Sequence, residues 1–448
     1  MIKHQTLLWT LAAILGLSST SLACDKHNND FNDIIRMNSE YSYKMIDITN
    51  NLSKKSQFFF QNKEKYLEEG KLYLGASIIG IADYQKSNTD SKFNYLMQVP
   101  TAANQVGKSV SEMVIHSMKF QASGSLTPWL SFYGELFYSP QQINGGTNIA
   151  ISRNQTHVRK AWIFIGNKEI SPVYASLGKQ NIPFGLMNTM SPFSSSLMQH
   201  AFAPVAQSAV FGLDYQGLNT SITAIQGGAQ YRAANVPVKE TNVPSKINNF
   251  AADLSYEHKF ADHISALVGG SYIKGSAYNQ EFPVVHFGPG NIYNPAWDVY
   301  ARIKYENITL QAEYAKTTKE WPGTHNPSAP LNVFAASKVD AFSVGGKYRW
   351  NNAAYGKDLD LSLEYSDFRA GPKGSPWRMQ SQLTAGISTM ITPTVKLFIE
   401  GIKGQGYSPL HKISGDHIDA TGATVPGTTH SDKSVRNYVG LVGIQAAL

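Results

Sequence analysis

Four side chains that could ligate a metal crowd one stretch near the C-terminus: His411, Asp416, His417 and Asp419, with His430 and Asp432 further on. Imidazole with carboxylate suits a transition metal. Their spacing matches no metal motif, and no metal site is assigned. Catalysis has less to stand on. The chain carries no G-x-S-x-G elbow, no H-E-x-x-H helix and no Walker loop. No catalytic residue and no cofactor are assigned, and the chain is not read as an enzyme.

The other reactive groups are charges spread along strands, and the strands decide where they point. Residues 307–314 show the pattern. Ile308, Leu310, Ala312 and Tyr314 fall on one face, while Thr309, Gln311 and Glu313 fall on the other. Successive strand side chains point to opposite faces. One face is therefore apolar and the other wet. The pattern recurs in about sixteen segments, near 72–83, 112–123, 129–139, 156–166, 172–181, 207–216, 218–227, 248–259, 263–274, 296–306, 307–318, 339–351, 357–369, 377–391, 394–404 and 433–448. Connections alternate between short turns and long loops, the mark of the periplasmic and extracellular ends of an outer-membrane barrel. The fold predicted is all-β: a transmembrane antiparallel β-barrel of about 16 strands, with a short N-terminal periplasmic helix.

Composition agrees. Charged residues make up 16% of 448, alongside 36 Gly, 23 Tyr and 21 Phe. A mean hydropathy of −0.25 suits a barrel, because only alternate residues meet lipid. Aromatic residues near strand ends (Trp129, Trp297, Tyr305, Tyr348, Trp350 and Trp377) fit an interface girdle. No sequence repeat supports a propeller. A formal charge of +7 is compatible with anionic solutes, and no nucleic-acid signal stands out.

With the apolar face outward, Lys119, Arg159, Arg302, Lys304, Lys347, Arg349, Arg378 and Lys396 point inward. So do Glu135, Asp253, Glu257, Glu313, Asp360, Glu364 and Glu400. The signs nearly balance, which argues against a one-sign ladder. Arg302, Lys304, Lys347 and Arg349, from nearby strands, form the best candidate for a basic lumen patch. The loop at 181–207 is unusually apolar. An inward fold would narrow the lumen, with Phe184, Leu186, Met187, Met190 and Phe193 supplying the packing.

Residues 1–23 read as a signal peptide, with Lys3 and His4 before an apolar run from Leu7 to Leu17. The sole cysteine, Cys24, follows and is a candidate for lipidation; no internal disulfide is possible. Residues 24–70 form a separate periplasmic segment, and 71–448 the barrel. Ile34, Tyr41 and Ile48 are spaced by seven, as are Met45 and Leu52. That spacing suggests a loose helix, a coiled coil between protomers, or a plug in the barrel mouth.

Two motifs carry a resemblance. Residues 159–166 (RKAWIFIG) followed by 177–185 (LGKQNIPFG) resemble the core of the phosphate-selective porin O/P-like superfamily. Arg159 and Lys179, which lie in these motifs, are carried with the lumen candidates. The whole chain is more similar to the siderophore-porin family typified by the legiobactin receptor. The shared features include the turn–strand units LTPW at 126–129 and FADH at 260–263. The resemblance implies uptake of a ferric siderophore across the bacterial outer membrane. A TonB-type plug needs well over a hundred residues, so transport is expected to be independent of one. The alternatives are a general or anion-preferring diffusion porin and a surface adhesin-like barrel. Expected partners are outer-membrane lipid, a small-molecule solute and a homotrimer of the chain itself, with no nucleic acid.

Overall fold

The computed structural model describes residues 34–47, 49–88, 108–139, 155–226, 246–275, 293–321, 324–327, 329–406, 417–418, 424–425 and 434–448. Sixteen antiparallel strands close into a barrel. They are β1 (Leu72–Ser87), β2 (Ser109–Ser125), β3 (Leu130–Ser139), β4 (Gln155–Gly166), β5 (Val173–Asn181), β6 (Val205–Tyr215), β7 (Leu218–Gln226) and β8 (Ile247–Ala261). Then follow β9 (Ile264–Ile273), β10 (Ala296–Tyr305), β11 (Ile308–Thr317), β12 (Asp340–Ala354), β13 (Lys357–Arg369), β14 (Met379–Thr392), β15 (Val395–Gly406) and β16 (Arg436–Ala447). Each strand pairs with the next, and β16 returns to β1 with Val442 opposite Ala82. Closure leaves no edge with unpaired backbone, the condition for strands in hydrocarbon.

Alternation holds around the wall. On β15, Lys396, Phe398, Glu400 and Ile402 are buried, while Leu397 and Ile399 are exposed. On β11, Ile308 and Leu310 are exposed and Gln311 and Glu313 are buried. The exposed apolar face belongs to lipid. Tight turns sit where the sequence shows short connections. Gln216-Gly217 and Tyr355-Gly356 have positive φ at both positions (49° and 87°; 49° and 70°), the I′ geometry that matches strand twist. Trp129, Tyr305, Tyr348 and Trp350 are exposed near short turns of the same end, where a girdle would lie. Trp377 departs from the girdle reading. It is fully buried and meets Phe334 edge-on at 5.5 Å, because the segment before β14 folds inward. Trp297 is half-buried against Tyr314.

The N-terminal segment lies on the inner wall. A short strand, Ile35–Met37, pairs in parallel with the start of β1. Helix α1 (Ser39–Ile46) follows, its Asn38 side chain accepting from the Tyr41 N–H at 3.0 Å. Helix α2 (Lys55–Tyr66) comes next. Tyr41, Met45 and Leu52 are buried against the barrel rather than along a coiled-coil seam. Ile34 is exposed, and Ile48 lies outside the described residues. The seven-residue spacing therefore does not run through one helix; Asn51, at φ 53°, sits in the break between α1 and α2. Residues 1–33, with the expected signal peptide and Cys24, lie outside the described residues, as do most of the residues from His411 to Asp432.

Candidate functional site

The lumen is built from inward side chains, and its first feature is how they hold the inserted loop. After β5 the chain turns into the barrel and crosses it through residues 182–204, including helix α3 (Leu197–Phe202). Three glutamates from alternate strands grip its backbone. Glu313 on β11 accepts from the N–H groups of Leu186 (2.7 Å) and Met187 (3.1 Å). Glu364 on β13 accepts from Met190 N–H (2.7 Å) and the Thr189 hydroxyl (2.9 Å). Glu400 on β15 accepts from the N–H groups of Phe193 (2.7 Å) and Ser194 (3.0 Å), and from the Ser194 hydroxyl. Lys396, also on β15, donates to the Pro192 carbonyl at 2.7 Å. A backbone carried into a barrel needs partners for its N–H groups, and carboxylates supply strong ones.

Phe184, Leu186, Met187, Met190 and Phe193 are all buried. Phe193 stacks on Phe398 of β15 at 5.2 Å and meets His116 of β2 edge-on at 4.8 Å. Gly185 has φ +68°, and an added Cβ would collide with the Glu313 carboxylate. The glycine of the P-F-G element is therefore a steric requirement. His200 is half-buried in α3, and desolvation pushes its imidazole down to about 4.

The second feature is the docked N-terminal segment. Phe59 and Phe60 of α2 pack on Trp162, Phe164 and Tyr174, with ring centroids 4.8–6.1 Å apart. Lys54 forms a buried ion pair with Asp253 of β8 and donates to the Tyr300 hydroxyl at 3.0 Å. Lys119 of β2 donates to the Ile46 carbonyl at 2.9 Å, and Lys63 to Pro128 in the β2–β3 turn at 2.8 Å. Segment and loop also meet: Leu52 N–H donates to the Asn188 side chain at 3.3 Å, and Thr189 N–H to the Thr49 carbonyl at 3.2 Å.

The third feature is a row of cations. Lys259 pairs across to Ser265, Ser265 to Lys304, Lys304 to Thr309, and Thr309 to Lys347. Strands lie about 4.8 Å apart, so the three lysines recur roughly every 10 Å along one inner contour. Lys259 and Lys304 are exposed, and Lys347 is half-buried. Arg302 stands one step off this row, in register through Leu267 with Glu257. Arg349 is at the rim, donating from Nε and Nη2 to the two carboxylate oxygens of Asp360 at 2.8 and 2.9 Å.

The remaining sequence candidates lie apart from this row. Arg159 occupies a bulge in β4, where Glu135 pairs with Lys160 and Leu136 with Val158. Its guanidinium lies 4.8 Å over the inward Phe137 ring, so two consecutive basic residues serve the inner face. Lys179 takes the other face of β5. Tyr174, Ser176 and Gln180 are buried inward, and Lys179 shares the outer parity of the exposed Leu177. Lys259 was missed in the sequence, although it continues the Asp253–Glu257 parity of β8. Several inward charges of both signs serve the packing of the lumen: Lys396 holds the Pro192 carbonyl and Lys119 the Ile46 carbonyl. Glu313, Glu364, Glu400 and Asp253 face inward but are spent on the loop and on Lys54.

The fold and this lumen define a porin-type barrel with a wall-anchored inner loop and an N-terminal segment docked inside. No family model matches the chain. Over 245 residues it is 24% identical to a UPF0422 protein of Coxiella burnetii, covering 53% of this chain and 50% of that protein. The alignment thus spans about half the length of that relative. The anion-selective porin from Comamonas acidovorans superposes with a TM-score of 0.51 at 12% identity, over 84% of this chain and 99% of that one. OprB of Pseudomonas putida gives a TM-score of 0.48 at 11% identity, over 84% and 94%. At 12% identity the likeness to the Comamonas porin shows the barrel fold alone.

Proposed function

We propose that the chain is a passive outer-membrane channel for small anionic solutes, its bore narrowed by the inner loop and the docked segment. The observation that carries this reading is the solvent-facing row Lys259–Lys304–Lys347. Glu313, Glu364 and Glu400 are committed to loop backbone and Asp360 to Arg349, which leaves Glu257, beside Arg302, as the inward acid nearest the row. Like charges around a water-filled wall attract the opposite ion and set preference. The anion-selective porin among the structural neighbours is consistent with that direction.

The same row favours a finer reading, uptake of a ferric siderophore. Many iron chelates present oxygen donors and net negative charge, and a narrowed basic lumen suits one. Uptake of a labelled ferric siderophore by iron-starved cells, with and without the protein, tests it. Saturable uptake lost on deletion supports the reading. Uptake unchanged by deletion returns the protein to a general anion-preferring porin.

A further inference from the structure

We propose that the outer face of β14, β15, β16 and β1 holds a site for an anionic, phosphate-bearing lipid of the outer leaflet. The proposal rests on the outer-membrane reading but not on conduction. Lys86 on β1 lies opposite Tyr438 on β16, and Tyr438 lies opposite Lys403 on β15. All three share the outward parity of the exposed Val442 and Ile399. With strands about 4.8 Å apart, the two lysine Cα atoms are separated by roughly 10 Å. Their long stems let both ammonium groups converge on one phosphorylated head. The row sits at the strand ends that lead into the long connections 88–108 and 407–435. In a barrel with short periplasmic turns, that is the extracellular side.

One step toward the barrel middle, the same face is hollow. Tyr84 lies opposite Gly440, Gly440 opposite Gly401, and Gly401 opposite Ala385. A Cβ added at Gly401 or Gly440 would meet nothing within 4 Å. The result is a groove of about 450 Å³ walled by Tyr84, Leu383 and Tyr438 and crowned by Lys86 and Lys403. Below it the face is filled by Ile387, Ile399 and Val442, and above it stand Lys403, Tyr438 and Lys86. Three consecutive strands lacking side-chain bulk leave an elongated apolar slot, and two cations stand at its outer end. Head and tail of one anionic lipid fit that order. A second protein copy would gain from the slot but would bring its own Lys86 and Lys403 toward a like-charged rim, which favours lipid as the occupant.

The test is native mass spectrometry of the full-length chain loaded with diphosphorylated lipid A, compared with phosphatidylcholine. Wild type should retain lipid A selectively. K86E/K403E should lower that retention by about tenfold or more, the order expected for losing two lysine–phosphate contacts. Gly401→Leu, which fills the slot and leaves both cations, should lower it too. Retention of lipid A by K86E/K403E at the wild-type level would overturn the proposal. So would efficient Gly440→Cys cross-linking between copies in lipid A, which would show the face covered by a second chain. Because lipid retention does not depend on current, a chain that fails to conduct can still pass or fail this test.

Discussion

Replacing the three wall glutamates with glutamine should release the inner loop. Seven donors of the loop converge on Glu313, Glu364 and Glu400: five N–H groups and two hydroxyls. Glutamine keeps the shape but presents one neutral carbonyl in place of two charged oxygens. A hydrogen bond to a charged group contributes about 1.5–3 kcal/mol, against about 0.5–1.5 for a neutral one. Each substitution therefore costs roughly 2 kcal/mol of loop docking. At about 1.4 kcal/mol per factor of ten, that shifts the docked–released balance about 30-fold. Three together reach on the order of 6 kcal/mol if they add, and residues gripping one loop rarely add fully. The assay is maleimide labelling of Met190→Cys, a position 8% exposed in the docked loop. Labelling should be slow with all three glutamates, faster with E364Q and fastest with the triple variant. Single-channel conductance should rise in the same order. Equal labelling rates across the series would refute the anchoring argument whatever the channel conducts.

Four further outcomes follow from the same geometry. Acidification should loosen the loop: half-buried His200, desolvated in α3, titrates near 4 instead of about 6.5, so the released loop binds the extra proton between those values. Docking is then full above pH 6.5 and weakens as pH falls toward 4, by up to about 3 kcal/mol. Met190→Cys labelling should accelerate over that window, and less so with His200→Gln. Lys54→Met should strand the Asp253 carboxylate in a buried setting, at about 3–5 kcal/mol, and release the N-terminal segment; protease cleavage within α2 should then quicken while the barrel stays intact. Gly185→Ala, forced to positive φ against Glu313, should also free the loop, read as faster Met190→Cys labelling. K304E/K347E should move the reversal potential in a salt gradient toward cation preference, and an unmoved potential would place the row outside the conducting path.

Much of the barrel was legible because its physics is local. Alternation is a two-residue pattern, and short turns carry their own chemistry, so all sixteen segments could be read from the chain. The apolar loop was legible for a related reason: Phe184, Met187 and Phe193 have no place in water. What escaped was long-range. Tyr41, Met45 and Leu52 show an apolar stripe, but the stripe cannot say whether it faces another helix or the aromatic wall at Trp162 and Phe164. The inward glutamates could be placed on a face, yet their charge could not be assigned without knowing which loop atoms they meet. Lys179 illustrates a limit of motif reading, since strand parity around Gln180 sends it outward although the motif suggests the lumen. Trp377 marks a second limit, because a tryptophan after a long loop suits a girdle or a buried cap equally well.

The central claim is that the row Lys259–Lys304–Lys347 governs passage through a conducting lumen. It is tested most directly by the reversal potential of the purified wild-type barrel in a planar bilayer under a potassium chloride gradient. A small conductance with anion preference is predicted. A cation-preferring pore, or a correctly folded barrel that carries no current, would contradict it.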